Sequence, residues 1–184
     1  MLYTRKGDSG TTKTFACDQR ISKGSAITEA LGALDEINSY LGLCKVKTRK
    51  EKLLAPKNLK VDQLIHDIQK NLFIVQAELA GASMHIDEEK LKEAEAIVDS
   101  IEKELPPIKK FFISGGTELS ALFDIARTIS RRAERRVIKA IEEDKISVSK
   151  FSLAYLNRLS SVLYAFVRLA NHRSGMTEQS PDYK

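Results

Sequence analysis

At 184 residues, with 42% apolar and 30% charged side chains, the chain has the balance of one globular domain with a core of its own, which excludes a disordered polymer. A formal charge of +5 allows an anionic partner without choosing among nucleic acid, nucleotide and membrane surface, and the same Lys, Arg and Glu content also fits a heat-adapted surface rich in ion pairs. No apolar run approaches the roughly 20 residues that span a bilayer, Met1–Asp8 is not followed by the apolar stretch of a secretory signal, and Cys17 and Cys44 stand far apart, so a cytoplasmic protein with reduced thiols is expected.

Residues 1–24 are rich in Gly, Thr, Ser and Lys and lack periodicity, which reads as an ordered loop or a loose arm. From Ile27 the apolar residues Leu31, Leu34, Ile37 and Leu41 follow at steps of three or four, the signature of a helix. Lys45–Lys60 reads as a charged connector containing Pro56. A second helix is predicted from about Asp62 to Met84, carrying Leu64, Ile65, Ile68, Leu72, Val75 and Leu79. A third runs from about Asp87 to Glu104 on Leu91, Ala94, Val98 and Ile101, and Pro106-Pro107 stops it because proline cannot continue the hydrogen-bond ladder. After the apolar Phe111-Phe112-Ile113 and the pair Gly115-Gly116, Thr117 is placed to cap a long helix reaching about Asp144. The last helix spans about Ser149 to Arg173, and the polar tail beyond Ser174 is expected to fray. No strand pattern or internal repeat is evident. These elements predict an all-α, antiparallel five-helix bundle in a single domain over residues 1–184, with an arm (1–24), a bundle (25–173) and a tail (174–184).

Three segments carry residues suited to chemistry. In Tyr3-Thr4-Arg5-Lys6-Gly7-Asp8-Ser9-Gly10-Thr11-Thr12-Lys13, glycines allow backbone N–H groups close to an anion, hydroxyls and cations add donors, and Asp8 suits orienting a cation or base. The segment is not a Walker A loop, and Gly7-Asp8-Ser9-Gly10 lacks the histidine and aspartate that a serine nucleophile needs. Taken alone, it is better read as a flexible arm. On the fourth helix, Phe123, Ala126, Ile129, Ala133 and Val137 mark the core side. Arg127, Arg131 and Arg135 stack along its border with Glu134 beside them, while Arg132, Arg136 and Lys139 lie toward solvent. A row of guanidiniums suits a polyphosphate, and the competing account is a salt-bridged surface. Arginines bordering a core are expected half buried and in need of partners, for which Asp124 and Asp35 are available. In Tyr155-Leu156-Asn157-Arg158-Leu159-Ser160, the amide of Asn157 suits either a base or ribose or a neighbouring helix. His66, His85 and His172 are isolated and form no Glu-x-x-His pair, so a di-iron bundle has no ligand set.

Together these blocks resemble the PduO-type ATP:cobalamin adenosyltransferases. The resemblance rests on Tyr3 through Thr12, on Glu29-Ala30-Leu31-Gly32-Ala33-Leu34-Asp35-Glu36-Ile37-Asn38-Ser39, on Phe111 through Gly116, on Ala126 through Arg135 and on Tyr155 through Ser160, in the family's order. It implies a five-helix bundle assembling as a homotrimer with nucleotide at the subunit interfaces. The implied substrates are ATP with Mg²⁺ and cob(I)alamin or a related corrinoid, and the products adenosylcobalamin and triphosphate. A reductase and an acceptor enzyme are implied as partners, with no nucleic acid and no membrane. By the same resemblance, Thr4, Arg5, Lys6, Gly7, Asp8, Gly10, Thr12 and Lys23 would wrap the phosphates. Arg131, Arg132, Glu134 and Arg135 would hold triphosphate, Mg²⁺-linked water and ribose, and Asn157 the nucleoside. Asp35 and Arg127 would pair across a subunit boundary and act with Arg131 in catalysis, and Phe111 and Phe112 would face the corrin. No protein side chain is expected to ligate a metal directly, Mg²⁺ arriving with ATP near Glu134. Ser114 stands where the family usually has proline, and Ser161 where an aspartate often follows. The alternatives are a helical nucleic-acid-binding bundle, whose affinity would fall steeply with salt, and a purely structural trimer.

Overall fold

The apolar spacing is realised as helices in the structure, a computed structural model that describes residues 3–14 and 19–183; Cys17 lies outside the described residues. The described residues form α1 (Ala26–Glu51), α2 (Val61–Leu79), α3 (Glu88–Glu102), α4 (Glu118–Asp144) and α5 (Lys150–Arg173). Contacts between helices give their directions. On α1 and α4, Glu36 pairs with Arg132 at 2.6 Å and Lys47 with Glu118 at 2.5 Å, so the two run antiparallel. On α4 and α5, Glu134 meets Asn157 while Thr117, just before α4, meets Asn171, again antiparallel. Asn38 and Gln69 exchange hydrogen bonds between α1 and α2, and Arg49 reaches back to Asp62. The expected up-and-down order holds, and α3 consequently lies parallel to α5, with Glu95 on Arg158 and Glu104 on Arg173.

The core is continuous. Leu34, Ile37 and Leu41 of α1, Ile65 and Leu72 of α2, Phe123 and Ala126 of α4, and Tyr155, Leu163 and Phe166 of α5 all belong to it. The rings of Phe123 and Phe166 pack 5.3 Å apart. Each large apolar side chain removed from water contributes on the order of 1.5–3 kcal/mol before the entropy of ordering is counted. α5 touches α3 and α4 through the contacts above and α2 through Tyr155, whose hydroxyl accepts from Asn71, so it is covered on several sides. That cover explains why even Arg168 and Asn171 on α5 are buried.

Four details differ from the sequence reading. α1 continues through the expected connector as far as Glu51: Cys44 and Thr48 extend its buried stripe, Thr48 Oγ1 donates to the Cys44 carbonyl at 2.7 Å, and Lys52 ends it in the left-handed region at φ 52°. Burial pushes the Cys44 thiol up to about 12, which leaves it an inert core residue. α2 stops at Leu79, short of Met84, where the chain turns at Gly81 with φ 96°. Among the described residues two short antiparallel pairings occur, Thr11–Thr12 with Ile21–Ser22 and Leu54–Ala55 with Leu59–Lys60; two residues are too few to leave an alternating pattern. As far as Gln179 the tail does not fray. It folds back, with the Met176 N–H donating to the Asn171 carbonyl and the Ile113 N–H to the Gln179 carbonyl at 2.8 Å. Among the described residues, no helix is long and apolar enough to cross a membrane.

Candidate active site

The start of α4 is built locally. The Thr117 hydroxyl accepts from the Ser120 N–H at 3.0 Å and the Ser120 hydroxyl accepts from the Thr117 N–H at 3.0 Å, a reciprocal cap that satisfies two orphan donors. The glycine pair before it is moulded onto α5. Asn171 accepts from the Thr117 N–H at 3.3 Å and donates to the Gly115 carbonyl at 3.3 Å. Gly116 has φ 116°, and a Cβ there would lie 2.3 Å from Asn171 Oδ1, so this close approach requires glycine.

The two phenylalanines diverge from that turn. Phe111 is 82% exposed, whereas Phe112 is half buried with the Arg168 guanidinium 5.5 Å from its ring centroid. Both rings line a cleft of about 460 Å³, together with Arg127, Arg131, Tyr164 and the apolar α3 residues Val98 and Ile101. Burial raises the Tyr164 hydroxyl above its ordinary value and the charge of Glu178 adds to it, while Arg168 and Arg127 act the other way.

The arginine row is only partly as expected. Arg127 is half buried; its Nε donates to Asp124 Oδ1 at 2.6 Å and its guanidinium lies 5.9 Å from the Tyr164 ring. Arg131 and Arg135 are exposed rather than half buried, because their long stems carry the charge out past the core border. Among the described residues neither has an ion-pair partner. Among the described residues Asp35 pairs with no arginine: it is exposed on α1, and the adjacent Glu36 binds Arg132 instead. Glu134 and Asn157 do come together, the Asn157 amide donating to Glu134 Oε1 at 2.9 Å and accepting from Arg158 at 3.1 Å.

The arm is a separate construction. Lys23 Nζ donates to the Gly7 carbonyl at 2.9 Å and the Lys23 N–H to the Gly10 carbonyl at 2.9 Å. A Cβ on Gly7 would lie 3.0 Å from Lys23 Nζ, and Gly10 turns at φ 77°. Arg20, which sequence reasoning missed, donates to the Thr11 hydroxyl at 2.8 Å, the Thr11 carbonyl at 2.7 Å and the Lys6 carbonyl. Thr4, Arg5, Lys6 and Asp8 remain exposed around this loop, and Thr12 is half buried. The arm joins the bundle where the Ile27 N–H donates to Asp144 at the end of α4. From Asp144 back to Arg131 is about 20 Å of helix. No described hydrogen bond or ion pair links residues 4–12 or Lys23 to Arg131, Glu134, Arg135 or Asn157. Among the described residues, no group of three or more His, Cys, Asp or Glu is placed to hold a metal ion.

The helical bundle holds an aromatic ring over an apolar cleft whose lining includes Arg131, a guanidinium without a carboxylate partner among the described residues, an arrangement suited to a flat apolar group beside an anion. The chain belongs to the cobalamin adenosyltransferase family, which its residues 2–170 match. It is 39% identical over 178 residues to the corrinoid adenosyltransferase PduO of Citrobacter freundii, covering 93% of this chain and 50% of that protein. It is 36% identical over 179 residues to the corrinoid adenosyltransferase of Bacillus subtilis, covering 95% and 89%. The chain thus spans about half the length of the PduO relatives from Citrobacter freundii and Salmonella typhimurium. Among solved structures, a variant of the PduO-type ATP:corrinoid adenosyltransferase from Lactobacillus reuteri complexed with cobalamin and ATP superposes with a TM-score of 0.88 at 28% identity, covering 100% of this chain and 97% of that one. Another variant of that enzyme, complexed with ATP, gives 0.85 at 28% identity over 98% and 100%.

Proposed function

We propose that the protein transfers the 5′-deoxyadenosyl group of ATP to the cobalt of a reduced corrinoid. The observation that carries this reading is the exposed Phe111 ring on one cleft with Arg131, which has no carboxylate partner among the described residues, an apolar platform beside a fixed charge. The Co(I) electron pair attacks C5′, the C5′–O bond breaks, and its electrons leave with triphosphate, so cobalt is formally oxidised to Co(III). Arg131 and Arg135, with Lys6 and Lys23 of the arm, neutralise the charge that grows on the leaving group, where pre-placed donors count most. Asn157, already hydrogen-bonded to Glu134, takes the nucleoside, with Glu134 directed at ribose or Mg²⁺-linked water. Mg²⁺ is bound mainly by the polyphosphate, in keeping with a site of few protein carboxylates. Phe111 presses on the lower face of the corrin in place of an axial ligand, which makes the cobalt easier to reduce, and Phe112 backs it.

The arm and the arginine row are brought together by a second copy of the chain in a homotrimer. The separation of about 20 Å along α4 within one chain supports this reading. The exposed Asp35 on α1 is then available to Arg127 of a neighbouring copy. The chain acts as one cytoplasmic domain, with a reductase supplying Co(I) and an acceptor enzyme taking the product. The test is to supply ATP and cob(I)alamin and to follow both the Co–C absorbance change and the phosphate product. Triphosphate with stoichiometric alkylation is expected; release of pyrophosphate or ADP, or no alkylation, overturns the proposal.

A further inference from the structure

Arg168 stands in a stretch of α5 where every neighbour from Leu163 to Ala170 except Tyr164 is a buried apolar residue, and it is itself only 5% exposed. A guanidinium taken out of water costs several kcal/mol unless its donors are met and its charge is paired. Its partners come from outside α5. Nε donates to Glu178 Oε2 at 3.1 Å, Nη2 donates to the Pro106 carbonyl at 3.0 Å, and the Phe112 ring lies 5.5 Å away. Pro106 lies early in the loop between α3 and α4, Phe112 lies further along it, and Glu178 belongs to the segment after α5. A second tie runs between the same two segments, from the Ile113 N–H to the Gln179 carbonyl at 2.8 Å. Phe111 lies between these fixed points and yet packs into nothing, at 82% exposure.

We infer that Arg168 and Glu178 are positioning residues that clamp the 106–113 loop, so that the segment following α5 sets how the Phe111 ring meets the corrinoid. The inference rests on the transfer reading above. The ring is exposed, so core packing does not hold it, and its orientation depends on the backbone on either side. With Glu178 removed, Arg168 keeps its charge without a counter-charge, and the cheapest relief is movement of the loop and tail toward water. The loop then has to be ordered again each time a corrinoid binds, and a misplacement of about 1 Å can cost on the order of a hundredfold in rate. Neither Arg168 nor Glu178 bonds to a residue assigned to the nucleotide, so nucleotide binding is left intact.

The experiment uses the full chain with Glu178→Ala, the gentler Glu178→Gln, which keeps an acceptor for Arg168, and Glu104→Ala as a control that removes another α5 ion pair, with Arg173. Amide exchange over residues 108–116, KM for ATP, turnover at saturating substrates and the fraction of four-coordinate cob(II)alamin are measured. For Glu178→Ala the expected results are faster exchange at Ile113, turnover at least about tenfold lower, less four-coordinate cobalt and an unchanged KM for ATP. Glu178→Gln falls between it and wild type and stands in for it if the alanine variant does not fold; Glu104→Ala behaves as wild type in all four. Unchanged exchange in the Glu178 variants overturns the clamp. Faster exchange with unchanged turnover and cobalt coordination overturns its positioning role. If the wild-type protein alkylates no corrinoid, the transfer reading falls, and the exchange data alone decide the clamp.

Discussion

The cleft around Phe111 and the N-terminal arm are both rich in donors, but they are held by different means. At the cleft, the turn at Gly115-Gly116 is moulded on the buried Asn171, and the loop before it is tied to the buried Arg168. Buried polar groups with all partners in place hold one arrangement, because any other leaves them unsatisfied. The arm is folded by Arg20 and Lys23, both exposed, and water competes for each of those bonds. The difference assigns the two regions different duties. On the proposed transfer reading, the cleft would be shaped before its ligand arrives, while the arm would close only on its ligand and on a neighbouring copy of the chain.

The largest effect that would break this contrast comes from deleting residues 1–12. The expected outcome is loss of measurable ATP binding by titration calorimetry, with a bundle that still melts cooperatively, since none of the described residues 3–12 belongs to the core. Unchanged ATP affinity would make the arm a mere tail. Next in size, Arg131→Ala lowers turnover about a hundredfold or more at saturating ATP, because one lost donor at a developing charge typically costs about 2.7–4 kcal/mol. Its melting temperature stays near wild type, since Arg131 is exposed and has no ion-pair partner among the described residues. Near-normal turnover would remove the arginine row from the chemistry.

How far the sequence could be read follows the same division. The helices were legible wherever apolar residues recurred at helical spacing, as at Leu34, Ile37 and Leu41. The stretch Lys45–Glu51 was not, because only Thr48 is buried there and charged residues surround it. Glu134 and Asn157 were both picked out as candidates, but their hydrogen bond depends on the register of α4 against α5, which no local pattern encodes. Arg168 was the one missed residue with a signal: a lone charge inside an apolar helix needs a buried partner. That Glu178 is the partner was not legible, since the tail has the composition of a frayed end and folds back only through tertiary contacts. Arg20 left no signal at all in a loop already crowded with polar residues.

A sharper cut within the cleft comes from its two phenylalanines. Phe111→Ala should barely move the melting temperature, because the ring is 82% exposed, yet it should abolish most corrinoid turnover while leaving ATP affinity unchanged. Phe112→Ala removes a half-buried ring packed on the Arg168 guanidinium and should cost roughly 2 kcal/mol of stability, below the range for a fully buried phenylalanine. Equal melting losses and equal residual activity in both would sink the corrin-facing role of Phe111. Thermal melts and turnover at saturating ATP decide it.

The smallest effect is the most direct test of how the arm is held. Arg20 donates to Thr11 and to the Lys6 carbonyl, bonds that fold the loop without touching the core. Arg20→Ala therefore leaves the melting temperature unchanged and acts on the free arm, which samples more conformations that ATP must gather again. Each net hydrogen bond lost from an exposed loop is worth about 0.5–1.5 kcal/mol, so ATP affinity should fall about tenfold. Turnover at saturating ATP should stay near wild type, because the bound nucleotide restores the closed loop and Arg20 takes no part in the chemistry. The result is a rise in KM for ATP with kcat preserved. A fall in kcat with KM unchanged would place Arg20 on the transferring phosphates, and a fall in melting temperature would mean that the arm is built into the bundle as firmly as the cleft.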